Sequence, residues 1–502
     1  MKLSTKHPNV QQTVVFNDFS GGLNTADSSE LIGSNELGRA VNVEIYKGNL
    51  RTVPGTVKVY ENINDGIDFS NLIYDRINGR LILTATDKSV WLYSEGTMKQ
   101  LGALTGDSAV QYAAWEDGVL VASGGKLQYY NGSTFDTIDT SPDVCRGVFI
   151  KNGRVWVYYS DELHCSAVGD ETNWTNDTND ESSAQWLQIG YKDGGYITGV
   201  ESLSSDTLVF KSNHYAYHLS GTYPNWVLSE IGRQIECKGY NECIALADST
   251  LTLGKTTLQA ITVTDSYGDM KATEVSAKVY SEIEKLGAVK LRYMPSLSQV
   301  WFVNPSAKQF LFLDVSTGGF FHRQYTNAVQ DACETSDGTI YILKAGGLYK
   351  SSSSSTSDEG IEMIWTFHTK TLVSNNEILV KRVRVDTTPY YNNYVNSVFH
   401  VGHVQLLGAV PSSAMCIYHD YTTLYRSKRY IKNHKYHAVQ TNSDEVYDNP
   451  EYIYASETYL KAVELYRADT RCVDRHRAIR VTGRGYGGSL VIHQISFDIA
   501  EV

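Results

Sequence analysis

The sequence lacks the residue patterns by which most enzyme and cofactor sites are recognised. It has no GxSxG nucleophile elbow, no P-loop, no Rossmann glycine pattern and no HExxH metal motif. Its 7 cysteines are scattered and include no CxxC pair, which argues against a zinc ribbon or a redox pair. We therefore predict no enzymatic activity and no catalytic, cofactor-binding or metal-binding residues. The thiols are expected to be reduced and buried, as in a protein assembled in a cytoplasm.

Long apolar runs and basic character are missing as well. No stretch approaches the ~18 apolar residues that a membrane helix requires, and the opening MKLSTKHPNVQQTV has no apolar signal-peptide core. The formal net charge is −12. Residues 361–502 hold 16 Lys and Arg against 14 Asp and Glu, which leaves 28 against 42 in residues 1–360. Such acidity argues against binding nucleic acid by phosphate neutralisation.

What the sequence does contain is 35 tyrosines and a strand-like pattern that recurs about seven times between residues 80 and 349. A strand reaches an Asn-Gly, Asp-Gly or Ser/Asp-rich turn, an apolar run follows, and a second turn leads to an aromatic-rich run, as in NGRLILTATDKSVWLYSEG from Asn78. The apolar runs begin near residues 80, 119, 154, 207, 250, 299 and 339. Short strands repeating at this period are typical of a β-propeller, and an open β-sandwich is the alternative.

The last repeat lacks a clear fourth strand, and an open blade would leave unpaired edge groups. We expect the strand-like segment Val41–Arg51 to supply that strand and close the ring. The serines at 351–355 are typical of a flexible linker, and the strand-like runs beyond them predict a second β domain. The expected organisation is all-β: an N-terminal arm with the ring-closing strand (1–55), a β-propeller of about seven blades (56–350), a Ser-rich linker (351–360) and a C-terminal β-sandwich or jelly-roll-like domain (361–502).

Two segments interrupt the repeat. Gly169–Gly195 is an insertion, and its acidic, turn-rich section Asp170–Ser183 is expected to be an exposed loop. Ser281–Leu286 (SEIEKL) predicts one or two helical turns.

Four further patterns have simpler structural interpretations. Histidines three apart on a strand point to opposite faces and serve one metal poorly. The glycine series sits between two strands, where a turn with close backbone approach explains it, and SDGT from Ser336 is explained by a hairpin turn. The arginine series either meets an acidic partner or a nucleic-acid backbone, or forms a solvated strand face. The residues are His400 and His403, His434 and His437; Gly483, Gly485, Gly487 and Gly488; and Arg467, Arg471, Arg475, Arg477, Arg480 and Arg484.

The opening of the chain contains FNDFSGGLNT from Phe16, NVE from Asn42 and KGNLRTVPG from Lys47. These stretches resemble tail and connector proteins of tailed bacteriophages. Those proteins share an "F-x-GG-L-N" start and an "N-x-x-…-G-x-L-x-x-R-x-G" segment before a propeller. Thr52, Val53 and Pro54 stand where many relatives place Arg. Weaker matches follow at Arg154–Val157 with GDETNW, Leu208–Lys211 with Trp226, Ile378–Val385 and His476–Gly485.

The resemblance implies a structural virion protein of the tail, assembled in the host cytoplasm. Proteins of this kind form a hexameric nozzle or hub, a head–tail connector below the portal and adaptor. The implied partners are further copies of the chain, the portal and adaptor proteins, tail fibre or spike proteins, and double-stranded DNA passing through the lumen without sequence-specific contacts. The nozzle would guide, retain and release genomic DNA, and an acidic or neutral lumen suits a sliding duplex because it does not hold phosphate.

Two other functions remain open at this stage. A glycan-binding or glycan-hydrolysing propeller used for host attachment predicts a wet cleft with carboxylates and aromatic rings at the propeller centre. A cellular scaffold for peptides predicts a stable monomer with partners at one face.

Overall fold

The computed structural model describes residues 11–61, 67–203, 206–263 and 270–389, and beyond them 395–401, 404–410, 417–422, 439–440, 453–454, 463–469, 476–486 and 490–501. The chain forms two compact units. One unit, called here the propeller unit, comprises residues 58–308 and 327–350. The other, called here the terminal unit, comprises residues 1–57, 309–326 and 351–502.

The regular secondary structure of the described residues is almost entirely β-strand. The strands are, in chain order, β1 (Gln11–Phe16), β2 (Gly22–Leu23), β3 (Glu36–Val41), β4 (Val43–Tyr46), β5 (Asn49–Thr52), β6 (Gly55–Glu61), β7 (Phe69–Asp75), β8 (Arg80–Ala85), β9 (Ser89–Ser94), β10 (Thr97–Ala103), β11 (Gln111–Trp115), β12 (Gly118–Ala122), β13 (Gln128–Tyr130), β14 (Phe135–Thr137), β15 (Gly147–Lys151), β16 (Arg154–Tyr159), β17 (Glu162–Cys165), β18 (Gln185–Gln188), β19 (Ile197–Leu203), β20 (Asp206–Lys211), β21 (Tyr215–Ser220), β22 (Val227–Arg233), β23 (Cys243–Ala245), β24 (Thr250–Leu253), β25 (Leu258–Val263) and β26 (Met270–Glu274).

The chain after β26 contains a 3₁₀ turn (Ala277–Val279) and the short helix α1 (Tyr280–Glu284), and a second 3₁₀ turn (Pro295–Leu297) follows the next strand. The strands after β26 are β27 (Lys290–Met294), β28 (Gln299–Val303), β29 (Gln309–Asp314), β30 (Phe320–Gln324), β31 (Val329–Glu334), β32 (Ile340–Lys344), β33 (Gly347–Ser352), β34 (Ser357–Asp358), β35 (Ile361–Glu362), β36 (Ile364–Thr369), β37 (Leu372–Pro389), β38 (Val395–Val401), β39 (Val404–Val410), β40 (Ile417–Thr422), β41 (Val439–Gln440), β42 (Ile453–Tyr454), β43 (Val463–Asp469), β44 (His476–Ile479), β45 (Val481–Tyr486) and β46 (Leu490–Glu501). No helix among the described residues is long and apolar enough to cross a membrane.

The repeats are four-stranded antiparallel sheets, as a β-propeller requires. Five consecutive sheets run β7–β10, β11–β14, β15–β18, β19–β22 and β23–β26, and another has the order β31-β32-β33-β6. The remaining repeat, β27–β30, has its first hairpin in the propeller unit and its second in the terminal unit. The second strand of each repeat begins at residues 80, 118, 154, 206, 250, 299 and 340. The predicted propeller with about seven blades is thereby confirmed.

Burial explains why the second strands read as unbroken apolar runs. Every residue of β12 (GVLVA) and of β28 (QVWFV) is buried, because both faces of an inner strand pack against neighbouring sheets. The outermost strand β22 (VLSEIGR) is exposed along most of its length. The Asn-Gly and Asp-Gly turns place Gly79 and Gly338 at φ of 66° and 81°, a conformation that glycine adopts at little cost.

Apolar clusters join neighbouring sheets of the propeller unit. Leu120 of β12 shares a buried cluster with Val155 of β16, and Val209 of β20 shares one with Trp156 of β16. The first and last repeats are also in contact, because Leu83 of β8 belongs to the same cluster as Leu343 of β32. Burial of apolar surface between successive sheets is therefore what holds the repeats together.

The prediction for the ring-closing strand was correct in kind and wrong in position. The fourth strand of the last repeat comes from the N-terminal part of the chain, but it is β6 rather than Val41–Arg51. Lys58 of β6 lies 5.6 Å from the ring centroid of Tyr349 in β33. The predicted segment instead forms the hairpin β4–β5, and β5 pairs with β46 in the terminal unit. The hairpin β4–β5 therefore finds its strand partner in the long C-terminal strand β46, and the edge of the last repeat is left to β6.

The expected flexible linker at 351–360 is also corrected. Its residues form the end of β33, a turn and strand β34, which pairs with β35 just beyond the segment. The backbone N–H of Gly55 donates to the Ser355 carbonyl at 2.8 Å, and the buried Asp358 accepts hydrogen bonds from Thr56 and from the Thr326 N–H. Serine at these positions supplies hydrogen-bonding partners for the neighbouring strand, so composition alone was misleading.

The terminal unit contains two large sheets, and N-terminal strands enter both. In one sheet β46 lies between β5 and β37, with β1 paired along β46. In the other, β3 lies between β30 and β36, and the order continues through β45, β38, β39 and β40. Residues 1–57 are therefore part of the same unit as the C-terminal residues and do not form a separate arm.

The two interruptions of the repeat form largely as predicted. Helix α1 (Tyr280–Glu284) overlaps the expected helical segment Ser281–Leu286 and begins one residue earlier. Most residues of 170–182 are exposed, and the buried Arg154 contacts the base of this loop. The guanidinium of Arg154 donates to the carbonyls of Ser166, Glu181 and Ser183.

Candidate functional site

The first strands of the repeats enclose a cavity of about 420 Å³ in the propeller unit. Its walls come from β7, β11, β19, β23, β27 and β31, which carry Tyr74, Tyr112, Glu201, Arg292 and Glu334 among others. Polar side chains thus project into the space where the repeats converge. A concave site of this size with a few polar groups is where a propeller would hold a ligand.

A buried carboxylate anchors one side of this cavity. Asp331 of β31 is fully buried, and it accepts two hydrogen bonds from the Arg292 guanidinium of β27, at 2.8 Å to Oδ1 and 3.1 Å to Oδ2. The Leu72 N–H of β7 donates to the same carboxylate at 3.0 Å. Burial by itself would raise the pKa of Asp331, but Arg292 and Lys290 outweigh it and hold the pKa below its usual range.

Lys290 extends this arrangement across three repeats. Its ammonium lies 3.6 Å from Asp331 Oδ2. It also donates to the Ser70 carbonyl, to Asn71 Oδ1 at 2.7 Å and to the Gln330 carbonyl at 3.1 Å. Burial lowers the pKa of Lys290, which Asp331 partly offsets. The three charged side chains therefore tie β27, β31 and β7 together at the point where the last repeat meets the first.

Two other groups of the cavity wall, Glu201 and Tyr112, take part in none of the ion pairs described above. Burial raises the pKa of the Glu201 carboxyl to about 7, and only backbone N–H groups of Ser202 and Ala245 oppose the shift. Burial also raises the pKa of Tyr112 to about 12. Glu334, by contrast, is occupied by Ser296, whose N–H and hydroxyl donate to it at 3.0–3.1 Å. The cavity is thus suited to hydrogen-bonding a polar ligand.

A second cluster, in the terminal unit, gathers the residues that carried the family resemblance. Phe19, Leu23 and Asn24 are all buried. The Asn24 amide donates to Glu36 Oε2 at 2.8 Å, and its oxygen accepts the N–H groups of Ala26 and Asp27. Gly22 has φ 63°, and a Cβ there would lie 2.6 Å from the Phe320 nitrogen. Only glycine fits this position.

The downstream motif residues form a buried ion-pair network in the same unit. Glu44 Oε1 accepts Arg51 Nε at 2.9 Å, and Glu44 Oε2 accepts Arg323 Nη2 at 2.7 Å. Asn42, at φ 52°, donates to the Ile364 carbonyl and accepts the Gln324 N–H. The motif therefore specifies how the N-terminal strands pack, which is an architectural role.

The simpler interpretations of two other patterns agree with the structure. In the SDGT turn Asp337 accepts the Thr339 N–H at 3.0 Å. Gly483 lies within β45 rather than in a turn, so the expected turn was wrong. The close approach was right, since a Cβ there would lie 2.2 Å from the ring of Phe367.

Several predicted residues cannot be placed. His403, His434, His437, Gly487, Gly488, Arg471 and Arg475 lie outside the described residues, as do Cys416 and Cys472. Arg480 and Arg484 are exposed beside β36, and only the backbone is described for His400, Arg467 and Arg477. The five described cysteines are free and buried, and burial raises the pKa of Cys165 to about 11. No cluster of three or more potential metal ligands occurs among the described residues.

Sequence reasoning missed the charged groups at the propeller centre. Lys290, Arg292 and Asp331 sit in strands that otherwise read as ordinary half-buried strands (KLRYM and VQDACE). One signal was available in the sequence: the first strands of two successive repeats, β27 and β31, each contain charged residues within the strand. Aligning the copies by strand would have placed these charges next to one another.

Comparison with known proteins finds structural similarity at low sequence identity. No protein-family model matches the chain, and no curated protein is significantly similar to it in sequence. Solved structures that resemble it include a streptogramin B lyase (12% identity, 57% of this chain and 96% of that chain, TM-score 0.38). Others are the WD40 β-propeller domain of Doa1 (10%, 61% and 97%, 0.39) and the β-propeller domain of Cps50 from Myceliophteria thermophila (9%, 60% and 98%, 0.42).

Proposed function

We propose that this protein is a structural component of a bacteriophage tail, a hexameric nozzle or hub below the portal and adaptor that guides, retains and releases genomic DNA. One observation carries the proposal. The residues that resemble tail proteins hold the N-terminal strands in the terminal unit: Glu44 pairs with Arg323 of β30, and the Asn42 amide donates to the Ile364 carbonyl of β36. These residues serve assembly of the fold, as the family's motif implies.

The physical properties of the chain are compatible with such a role. A part that withstands the passage of DNA needs rigid modules, and sheets joined by continuous apolar clusters resist deformation. Residues 1–360 carry 42 acidic against 28 basic side chains, so a duplex passing this region is repelled rather than held. Because the charge of residues 361–502 is nearly balanced, they suit protein partners such as the portal, the adaptor, or a tail fibre or spike protein.

Electron cryomicroscopy of phage particles that contain the chain tests this proposal. We expect density for the propeller in a ring on the tail axis, and six copies per particle by quantitative mass spectrometry against the portal protein. A matched sample carrying Glu44→Gln should give particles with reduced occupancy of this ring. Absence of the chain from purified particles, or its presence only at fibre tips, would overturn the proposal.

A further inference from the structure

The central cavity of the propeller unit has features that the proposed tail role does not require. It measures about 420 Å³, which lies in the range of about 300–1,000 Å³ typical of small-molecule sites. Its wall includes tyrosine rings, two amide side chains and a carboxyl group: Tyr74, Tyr112, Tyr293, Gln111, Asn241 and Glu201. This inference does not rest on the proposed function.

Two charged side chains of the cavity wall are held by partners within the protein. Arg292 is committed to the buried Asp331 through two hydrogen bonds, so it cannot bind a charged ligand without breaking a buried interaction. Glu334 accepts hydrogen bonds from Ser296, and the guanidinium of Arg76, which also lines the cavity, is exposed. The rest of the polar lining offers a ligand neutral or weakly acidic hydrogen-bonding capacity.

That capacity comes from several directions. The Glu201 carboxyl is half-buried and its neighbours are backbone N–H groups rather than a cation. Asn241 lies two residues before β23, and its Oδ1 is 3.5 Å from Gln111 Nε2. Tyrosine rings bring apolar faces together with hydroxyl groups. Aromatic faces combined with amide and carboxyl groups match the alternating C–H and O–H surface of a sugar ring.

We propose that this cavity binds a small neutral saccharide, with Glu201, Asn241 and Tyr112 as hydrogen-bonding residues. Neutral polyols suit a lining that mixes donors and acceptors, since each hydroxyl both donates and accepts. Binding involves no covalent step.

Saturation-transfer difference NMR on the full chain tests the proposal, with D-glucose, D-galactose and N-acetyl-D-glucosamine as separate probes at millimolar concentration. We expect saturation transfer to at least one probe. Ala245→Leu extends a half-buried cavity residue into the space and should weaken binding at least tenfold. Tyr191→Phe, at a tyrosine that is 69% exposed and absent from the cavity wall, serves as the matched control and should leave affinity unchanged.

A second variant protects the test against misfolding. Should Ala245→Leu fail to fold, the double variant Glu201→Gln with Tyr112→Phe, which adds no volume, should weaken binding severalfold. Transfer to none of the three sugars overturns the proposal, as does equal binding by wild type and Ala245→Leu. Succinate or lysine binding that Ala245→Leu abolishes, with no sugar bound, would assign the cavity to a charged ligand and overturn the saccharide class. None of these results depends on whether the chain is found in a phage tail.

Discussion

Glu44 and Arg323 form a fully buried ion pair, with Arg323 Nη2 2.7 Å from Glu44 Oε2, although the two residues are 279 positions apart. Arg51 approaches the other oxygen of the same carboxylate from the neighbouring strand. One acidic residue of the N-terminal motif therefore fixes the position of two arginines in the terminal unit.

Glu44→Gln should lower the free energy of unfolding by about 3–5 kcal/mol, because it removes a negative charge that faces the buried Arg323 and the half-buried Arg51. Urea denaturation of purified protein measures the change. The control is Glu61→Gln, which removes one partner of the exposed Lys58–Glu61 pair and should cost no more than about 1 kcal/mol. Equal losses in both variants would contradict the role assigned to Glu44.

Val59→Pro should open the propeller unit, because β6 is the strand that joins the last repeat to the start of the chain. Proline removes a backbone donor from the ladder, and Val59 packs against the cluster shared by the first and last repeats. The expected result is loss of hydrogen-exchange protection in both β7–β10 and β31–β33.

The matched control is Lys99→Pro in β10, the outermost strand of the first repeat. It disturbs one sheet without holding distant parts of the chain together, so its effect should stay within β7–β10. Exchange confined to β31–β33 in the Val59→Pro variant would show that β6 does not close the ring.

Asp331→Asn should destabilise the propeller unit by about 3–5 kcal/mol at neutral pH, since Arg292 and Lys290 would lose their buried counter-charge. The difference depends on pH. The pKa of Asp331 is lowered in the folded state, so its stabilisation is present above the unfolded pKa of about 3.9 and is lost as pH falls below it.

Urea titrations at a series of pH values check this dependence, and the gap between wild type and Asp331→Asn should close below about pH 4. Asp337→Asn, in the exposed turn between β31 and β32, is the control and should cause a much smaller loss at neutral pH. A gap that stays constant down to acid pH would mean that lost packing, rather than lost charge, explains the variant.

His368 should make the terminal unit less stable under mildly acidic conditions. Burial, with repulsion from Arg480 and Arg39, lowers the pKa of His368 to about 4. Between the unfolded pKa of about 6.5 and pH 4 the unfolded chain binds a proton that the folded protein does not. Stability therefore falls as pH drops through this window.

His368→Asn should remove this part of the pH dependence, as measured by thermal unfolding between pH 7 and pH 4. Arg480→Gln should raise the pKa of His368 in the folded protein, because it removes one source of repulsion. The pH range over which stability falls should then end at a higher pH. An unchanged pH profile in both variants would contradict the assignment to His368.

Local patterns by themselves determined the repeats of this protein. Apolar runs such as GVLVA and turns such as Asn78-Gly79 specify strands and tight hairpins, because their requirements are satisfied within a few residues. The number of repeats, the start of each second strand and the helix at 280–284 could all be predicted from such signals.

Only the tertiary structure decided which distant segments pair. Both β4–β5 and β6 read as strands, and nothing local distinguishes the one that completes the last repeat from the one that joins β46. The charged residues at the propeller centre and the partners of Glu44 were hidden for the same reason. Each acquires its role from a counter-charge or strand edge tens to hundreds of residues away, and the energy of such contacts exists only once the chain has folded.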